Sequence, residues 1–311
     1  MSRGSFTAAG VLASVLVAAS PSPAAQKWLR LSTPNFELYT DGSEASGRDI
    51  LLYFEQVRAF FLPTMRALGL PEKPVRIVDF RSPGEYGLYC PSSLWQCNLD
   101  TACLEPFAPI NGPYSGCQNQ SSHPAFALSG PARDFIVMTH ELKRAGPSGW
   151  SEHVGVSLET SGVKLPDWLR KGLMGLANRT EPVSGGLGIN VPSPWRLPRV
   201  TGMGGLLRSR PAADPMVQML TFSGTYRDGF PAFLKAVRNG EDDVAALNRT
   251  YGRTLSELER DLRAYALKPV QATGIRFDVP ETFAPETQPV TPVEIGAVLA
   301  ELKATRPALG R

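Results

Sequence analysis

Hydrophobic and polar positions follow two different periods along this chain, and the change of period divides it. Trp28–Leu31 and Asn35–Thr40 are short β-like runs, the second alternating apolar and polar residues. From Ser43 to Leu68 the apolar residues Ile50, Leu51, Phe54, Val57, Phe60 and Phe61 recur at helical spacing. That pattern predicts one long amphipathic helix with Pro63 as its bend point. Val75–Phe80, Ala125–Leu128 and Phe135–Met138 predict strands, and Ser82–Tyr86 the start of a short helix. Strands interleaved with one long helix imply an α+β fold, a mixed sheet backed by helices. Beyond residue 150 the pattern turns helical: Glu152–Ser161 and Leu165–Asn178 form a predicted pair. A Gly/Pro-rich stretch to Gly205 precedes further helical segments at Pro215–Phe222, Gly229–Val237, Asp242–Tyr251 and Thr254–Leu267. Thr254 and Ser256 are equally good N-caps for the last of these. The Pro/Thr/Glu-rich residues Asp278–Pro292 predict a linker, and Val293–Ala304 a terminal helix without an evident packing partner.

Composition changes this picture little. The 311 residues are 42% hydrophobic and 20% charged, with a net charge of +3, which is ordinary for a globular chain. No polybasic block is present, so nucleic acid and anionic membrane are not the expected partners. The N-terminus matters more. Arg3 precedes an apolar run, Ala8–Ala19, followed by small residues ending in Ala24-Ala25. The run is shorter than the roughly 20 residues that span a bilayer, and it predicts a secretory signal over 1–25. The chain is then expected to be exported, periplasmic or extracellular, with no membrane span after cleavage. Cys90, Cys97, Cys103 and Cys117 fall together in a Pro/Ser/Asn/Gly-rich stretch, 90–123. In an exported protein they predict two disulfides, with all three pairings open; their spacing lacks the C-x2-C knuckle of a structural zinc site.

The first candidate for chemistry is His140-Glu141, half of a His-Glu-x-x-His zinc helix. Such a helix works because residues i and i+4 share a face, so two imidazoles meet one metal. The fourth position here is Arg144, a cation with no lone pair to give, and the dipeptide is expected to be a solvated turn. Ser151-Glu152-His153 are consecutive and cannot place a nucleophile, acid and base on one helix face.

More information lies in the order of longer pieces: WLRLSTPNFELYTDGSE, LLYFEQVRAFF, PVRIVDFRSPGEY, ARDFIVM, GVKLPDWLRKGLMGLA and ALNRTYGRTLSELERDLRAY. Together they resemble an exported bacterial family of gluzincin-like, peptidase-MA-like zinc metallopeptidase domains of unknown function. The resemblance covers most of Trp28 to Phe277, with the cysteine stretch as an insertion. It implies a zincin-like α+β fold over 26–277. A sheet-containing half, 26–150, would lead into the active-site helix pair and a helical half, 151–277, with 278–311 as linker and terminal helix. In that family a His-Glu-x-x-His helix follows the strand matched by FIVM. A Trp-Leu-Asn-Glu-Gly helix then supplies the third zinc ligand.

The resemblance places the two zinc histidines on Ser151 and Gly155, the general base on Glu152, and the third ligand on Lys171. Only Glu152 is kept. Serine is not a usual zinc ligand, glycine offers no side chain, and an ammonium repels a divalent cation. A degenerate, zinc-free pseudopeptidase without cofactor is therefore expected, with a residual cleft that takes a peptide or protein partner. Lys171 is expected to pair with Glu152 as a substitute cation. Two alternatives stand beside this: an active metallopeptidase with a rearranged site using His140, Glu141 and His153, and a structural protein whose cleft has filled in around Gly155. His123, the remaining histidine, lies in the inserted stretch.

Overall fold

The computed structural model describes residues 28–89, 124–183, 186–190, 197, 202, 205–206, 210–267 and 283–305. The predicted signal and the four cysteines therefore lie outside the described residues, as does His123.

Strands β1 (Leu29–Ser32) and β2 (Phe36–Thr40) form an antiparallel hairpin. Helix α1 (Glu44–Leu68) follows, started by Ser43, whose Oγ accepts from the Ser46 N–H. It stops at Gly69, where φ is 66°, the left-handed conformation that glycine adopts without strain. The apolar stripe read from the sequence is buried except for Phe60, which is partly buried and stacks on Phe222, and the helix runs unbroken through Pro63. Strand β3 (Val75–Phe80) returns parallel to β2. A short helix, α2 (Pro83–Gly87), leads on, and β4 (Ala125–Ser129) and β5 (Asp134–Thr139) then form a second hairpin. In it β5 lies parallel to β3 and β4 forms the edge.

Strict alternation along the strands gives the sheet two apolar faces. Phe36, Leu38, Val75, Ile77, Ile136 and Met138 face one core, which α1 and α3 (Leu142–Thr160) cover. Tyr39, Val78, Phe80, Phe135 and Val137 face the other. The closeness of α3 to the sheet requires glycine: a Cβ on Gly149 would lie 2.7 Å from Ile136 Cγ2.

The second apolar face corrects an expectation. Within the stretch expected to be a linker, β8 (Glu286–Pro289) adds antiparallel to β1, completing the order β4-β5-β3-β2-β1-β8. Helix α9 (Pro292–Thr305), expected to lack a partner, seats Ile295, Val298 and Leu302 on that face. Ion pairs fix it there: Arg76 Nη1 lies 2.6 Å from Glu301 Oε2 and Arg30 Nη1 3.3 Å from Glu294 Oε1. Residues 286–305 thus belong to the sheet-containing unit.

After α3 come α4 (Asp167–Asn178) and a small antiparallel ribbon, β6 (Thr180–Val183) with β7 (Gly186–Ile189). The helices α5 (Arg210–Phe222), α6 (Phe230–Arg238), α7 (Asp243–Tyr251) and α8 (Leu255–Leu267) complete the helical half. Thr254, not Ser256, caps α8: its Oγ1 accepts from the Glu257 N–H while Glu257 Oε2 accepts from the Thr254 N–H at 2.8 Å. Trp168 on α4 donates from Nε1 to Asp243 Oδ2 at 2.6 Å, tying α4 to α7. The architecture among the described residues is α+β, a mixed six-stranded sheet with nine helices. No helix among them is long and apolar enough to cross a membrane.

Candidate functional site

The α3–α4 pair carries the four positions singled out by sequence. Helix α3 begins ten residues before Glu152, at Leu142, so Ser151, Glu152 and Gly155 sit in its body rather than at its start. Ser151 and Gly155, one turn apart, both meet Met174 of α4. The buried Ser151 hydroxyl donates to the Met174 carbonyl oxygen at 2.9 Å. A Cβ on Gly155 would lie 2.9 Å from Met174 Cε and 3.3 Å from its Sδ. The thioether thus occupies the space that a side chain at 155 would need. Lys171 lies one turn before Met174 but turns away: its Nζ is 3.3 Å from Asp167 Oδ2, with both groups substantially exposed.

The expected pairing of Lys171 with Glu152 is therefore not formed. An acid one turn back on the same helix is reached with less side-chain ordering than one on the neighbouring helix. Glu152 is half-buried and its carboxyl group makes no hydrogen bond among the described residues; desolvation alone holds it above the usual carboxylate range. Its charge reaches Tyr86, whose phenol is raised first by its own burial and then by Glu152.

Two further titratable pairs flank the sheet. At the carboxyl end of β3, Asp79 is fully buried. Its Oδ2 accepts from Thr40 Oγ1 at 2.7 Å and lies 3.7 Å from His140 Nδ1, whereas its Oδ1 has no hydrogen-bond partner. Burial pushes the Asp79 carboxyl up to about 6; the Asp41 charge adds to this, and Thr40 and His140 oppose it. At the other end of β5, buried His153 lies 3.8 Å from Asp134 Oδ2, with its Nδ1 unpartnered. Burial pushes this imidazole down to about 4, against the pull of Asp134.

These two histidines mark opposite ends of β5, which runs from Asp134 to Thr139. At about 3.3 Å per residue they are separated by roughly 20 Å along the strand. His140, Glu141 and His153 consequently do not converge on one ion. Among the described residues no group of three or more His, Cys, Asp and Glu side chains is arranged to hold a metal. Ser151 and Gly155, the positions that the resemblance alone would assign to zinc ligands, do not fit an ion either, because the hydroxyl is committed to a backbone carbonyl and the glycine is covered by Met174.

Comparison of the chain with family models, curated proteins and solved structures found no match.

A cavity of about 710 Å³ lies away from Ser151 and Gly155. Leu52, Tyr53 and Gln56 of α1 form one wall, residues 141–144 at the start of α3 another, and Pro182 with Val183 of β6 the third. Tyr53 is pinned from behind by a 2.7 Å hydrogen bond between its hydroxyl and that of Thr180. Sequence reasoning missed this cavity because three distant segments make it. It also missed Met174 and Asp79. Met174 follows Lys171 by three residues on the same helix, and Asp79 is an acid inside a strand whose remaining residues, Arg76 apart, are apolar; both were legible signals.

Proposed function

We propose that this chain is an exported, zinc-free pseudopeptidase, built on a gluzincin-like scaffold, that binds peptide or protein rather than hydrolysing it. The observation that carries the reading is Met174. Its carbonyl takes the Ser151 hydroxyl and its thioether fills the space beside Gly155, so two of the three positions that resemble zinc ligands are spent on packing. The third, Lys171, is a cation paired with Asp167. Without a Lewis acid to lower the pKa of water, a carboxyl at position 152 has no activated nucleophile to serve. An α3 that follows the parallel strand β5 and packs on the sheet supports the scaffold assignment, and the Ala8–Ala19 run supports export.

The test is hydrolysis. The purified chain is incubated with casein and with internally quenched peptides, with and without added zinc chloride. No cleavage above the buffer blank is expected in either condition. Zinc-dependent cleavage abolished by a chelator contradicts the reading.

Met174 over Gly155 also favours a second reading, a structural protein whose cleft has become core. The two differ in whether any peptide binds. The open cavity beside α1 favours binding, since a purely structural chain gains nothing from leaving it unfilled.

A further inference from the structure

We infer that the cavity between α1, the start of α3 and β6 is a receptor for the C-terminal carboxylate of a peptide that ends in an apolar residue. The inference rests on the binding reading above for its partner class, but its place and chemistry come from different residues.

Charge is the first argument. Glu141 occupies the N-cap position of α3 without making a side-chain cap, and no acid follows in the first turn. Lys143 and Arg144 stand there instead. Cations at a helix N-terminus repel the positive end of the helix dipole, and an arriving anion relieves that repulsion. The Leu142, Arg144 and Ala145 N–H groups already bond the His140 and Glu141 carbonyls, so the Lys143 N–H and ammonium are what the anion meets. Arg144 is partly answered by Glu141, 3.3 Å away. The exposed Lys143 ammonium has no partner among the described residues. Asp49, the other acid on the rim, stands on the α1 side. It steers a carboxylate toward the α3 wall.

Gln56 is the second and independent argument. It is only 4% exposed, it lines the cavity, and its amide makes no hydrogen bond among the described residues. A buried primary amide presents both a donor and an acceptor, and a peptide amide is the group that satisfies both. The walls between these polar points are Leu52, Leu142, Pro182 and Val183, which suit an apolar side chain. A fatty acid would match the walls and the cationic turn but would press hydrocarbon against Gln56 and leave its amide unpaired.

Fluorescence anisotropy tests this with the whole chain and N-terminally fluorescein-labelled Gly-Ser-Ala-Leu peptides. The free carboxylate form should bind saturably, and the C-terminal amide about tenfold more weakly or worse, as should a peptide ending in Asp. Q56L and K143E should each weaken the carboxylate peptide by about tenfold. Lys143 is exposed, so K143E keeps the test valid if Q56L fails to fold. Equal affinity for carboxylate and amide overturns the inference, as does no binding up to about 1 mM. Folded variants that bind like the wild type, or laurate that binds more tightly than the peptide, also overturn it. Zinc-dependent peptidase activity would sink the pseudopeptidase reading without touching these ratios.

Discussion

Replacing Asp79 with asparagine isolates the cost of a buried acid. Its carboxyl is fully buried, receives one hydrogen bond from Thr40, leaves Oδ1 unpartnered and is pushed from 3.8 to about 6 by burial. A raised carboxyl pKa means the folded state holds the proton more tightly than the unfolded chain. The group therefore destabilises the fold progressively as pH rises from about 4 to 6, and the cost is complete above that range. At 1.36 kcal/mol per unit the cost is about 1 kcal/mol at pH 4.5 and about 3 kcal/mol at pH 8. Asparagine keeps the shape and can still accept from Thr40, but carries no charge. Asp79→Asn should thus stabilise the chain by about 2–3 kcal/mol at pH 8, or roughly 4–10 °C in Tm, and by about 1 kcal/mol or less at pH 4.5. Urea unfolding followed by tryptophan fluorescence at both pH values measures this. A variant that is less stable than wild type at pH 8, or an equal effect at both, refutes the reasoning.

Other outcomes follow from the same structure. Gly172→Ala should lose about 2–4 kcal/mol in urea unfolding, because the new Cβ would meet Val217 Cγ2 at 2.4 Å and the Ala213 carbonyl oxygen at 2.6 Å, and the backbone cannot yield. Gly155→Ala should stay within about 1 kcal/mol of wild type, since its obstacle is the movable end of Met174 and alanine gains helix propensity. His153 carries the opposite pH dependence. Its imidazole is lowered from 6.5 to about 4, so wild-type stability is full above pH 6.5 and falls toward pH 4 by up to about 3 kcal/mol. His153→Leu should flatten that branch in a pH series of thermal melts, and an unchanged acid branch would count against neutral burial. Lys171→Glu should shift stability by less than about 1 kcal/mol in the same melts, because the pair it breaks with Asp167 is exposed.

Much of the fold was legible because local pattern and tertiary burial agree. The stripe Ile50, Leu51, Phe54, Val57 of α1 and the run Val75–Phe80 of β3 are core in both sequence and structure. Where they disagree, packing wins. The first half of α3 contains Gly146, Pro147 and Gly149, poor helix formers that hid it, yet the missing Cβ atoms are what let the helix lie against Tyr53 and Ile136. The strand β8 is short and Pro-flanked, so only its hydrogen bonds to β1 reveal it; with it came the second apolar face that gives α9 a partner. At the site, the residue types at 151, 155 and 171 could be read directly. Their partners could not, because Met174 and Asp167 are chosen by helix packing and side-chain reach.

Zinc stoichiometry of the chain, purified without chelator and measured by inductively coupled plasma mass spectrometry, is the most direct check on whether α3 and α4 have traded coordination for packing. We expect below about 0.1 zinc per chain and no rise in Tm on adding the ion. Near one tightly held zinc per chain, stripped by chelator with a fall in Tm and absent from a Ser151→Ala, Lys171→Ala variant, would contradict the account.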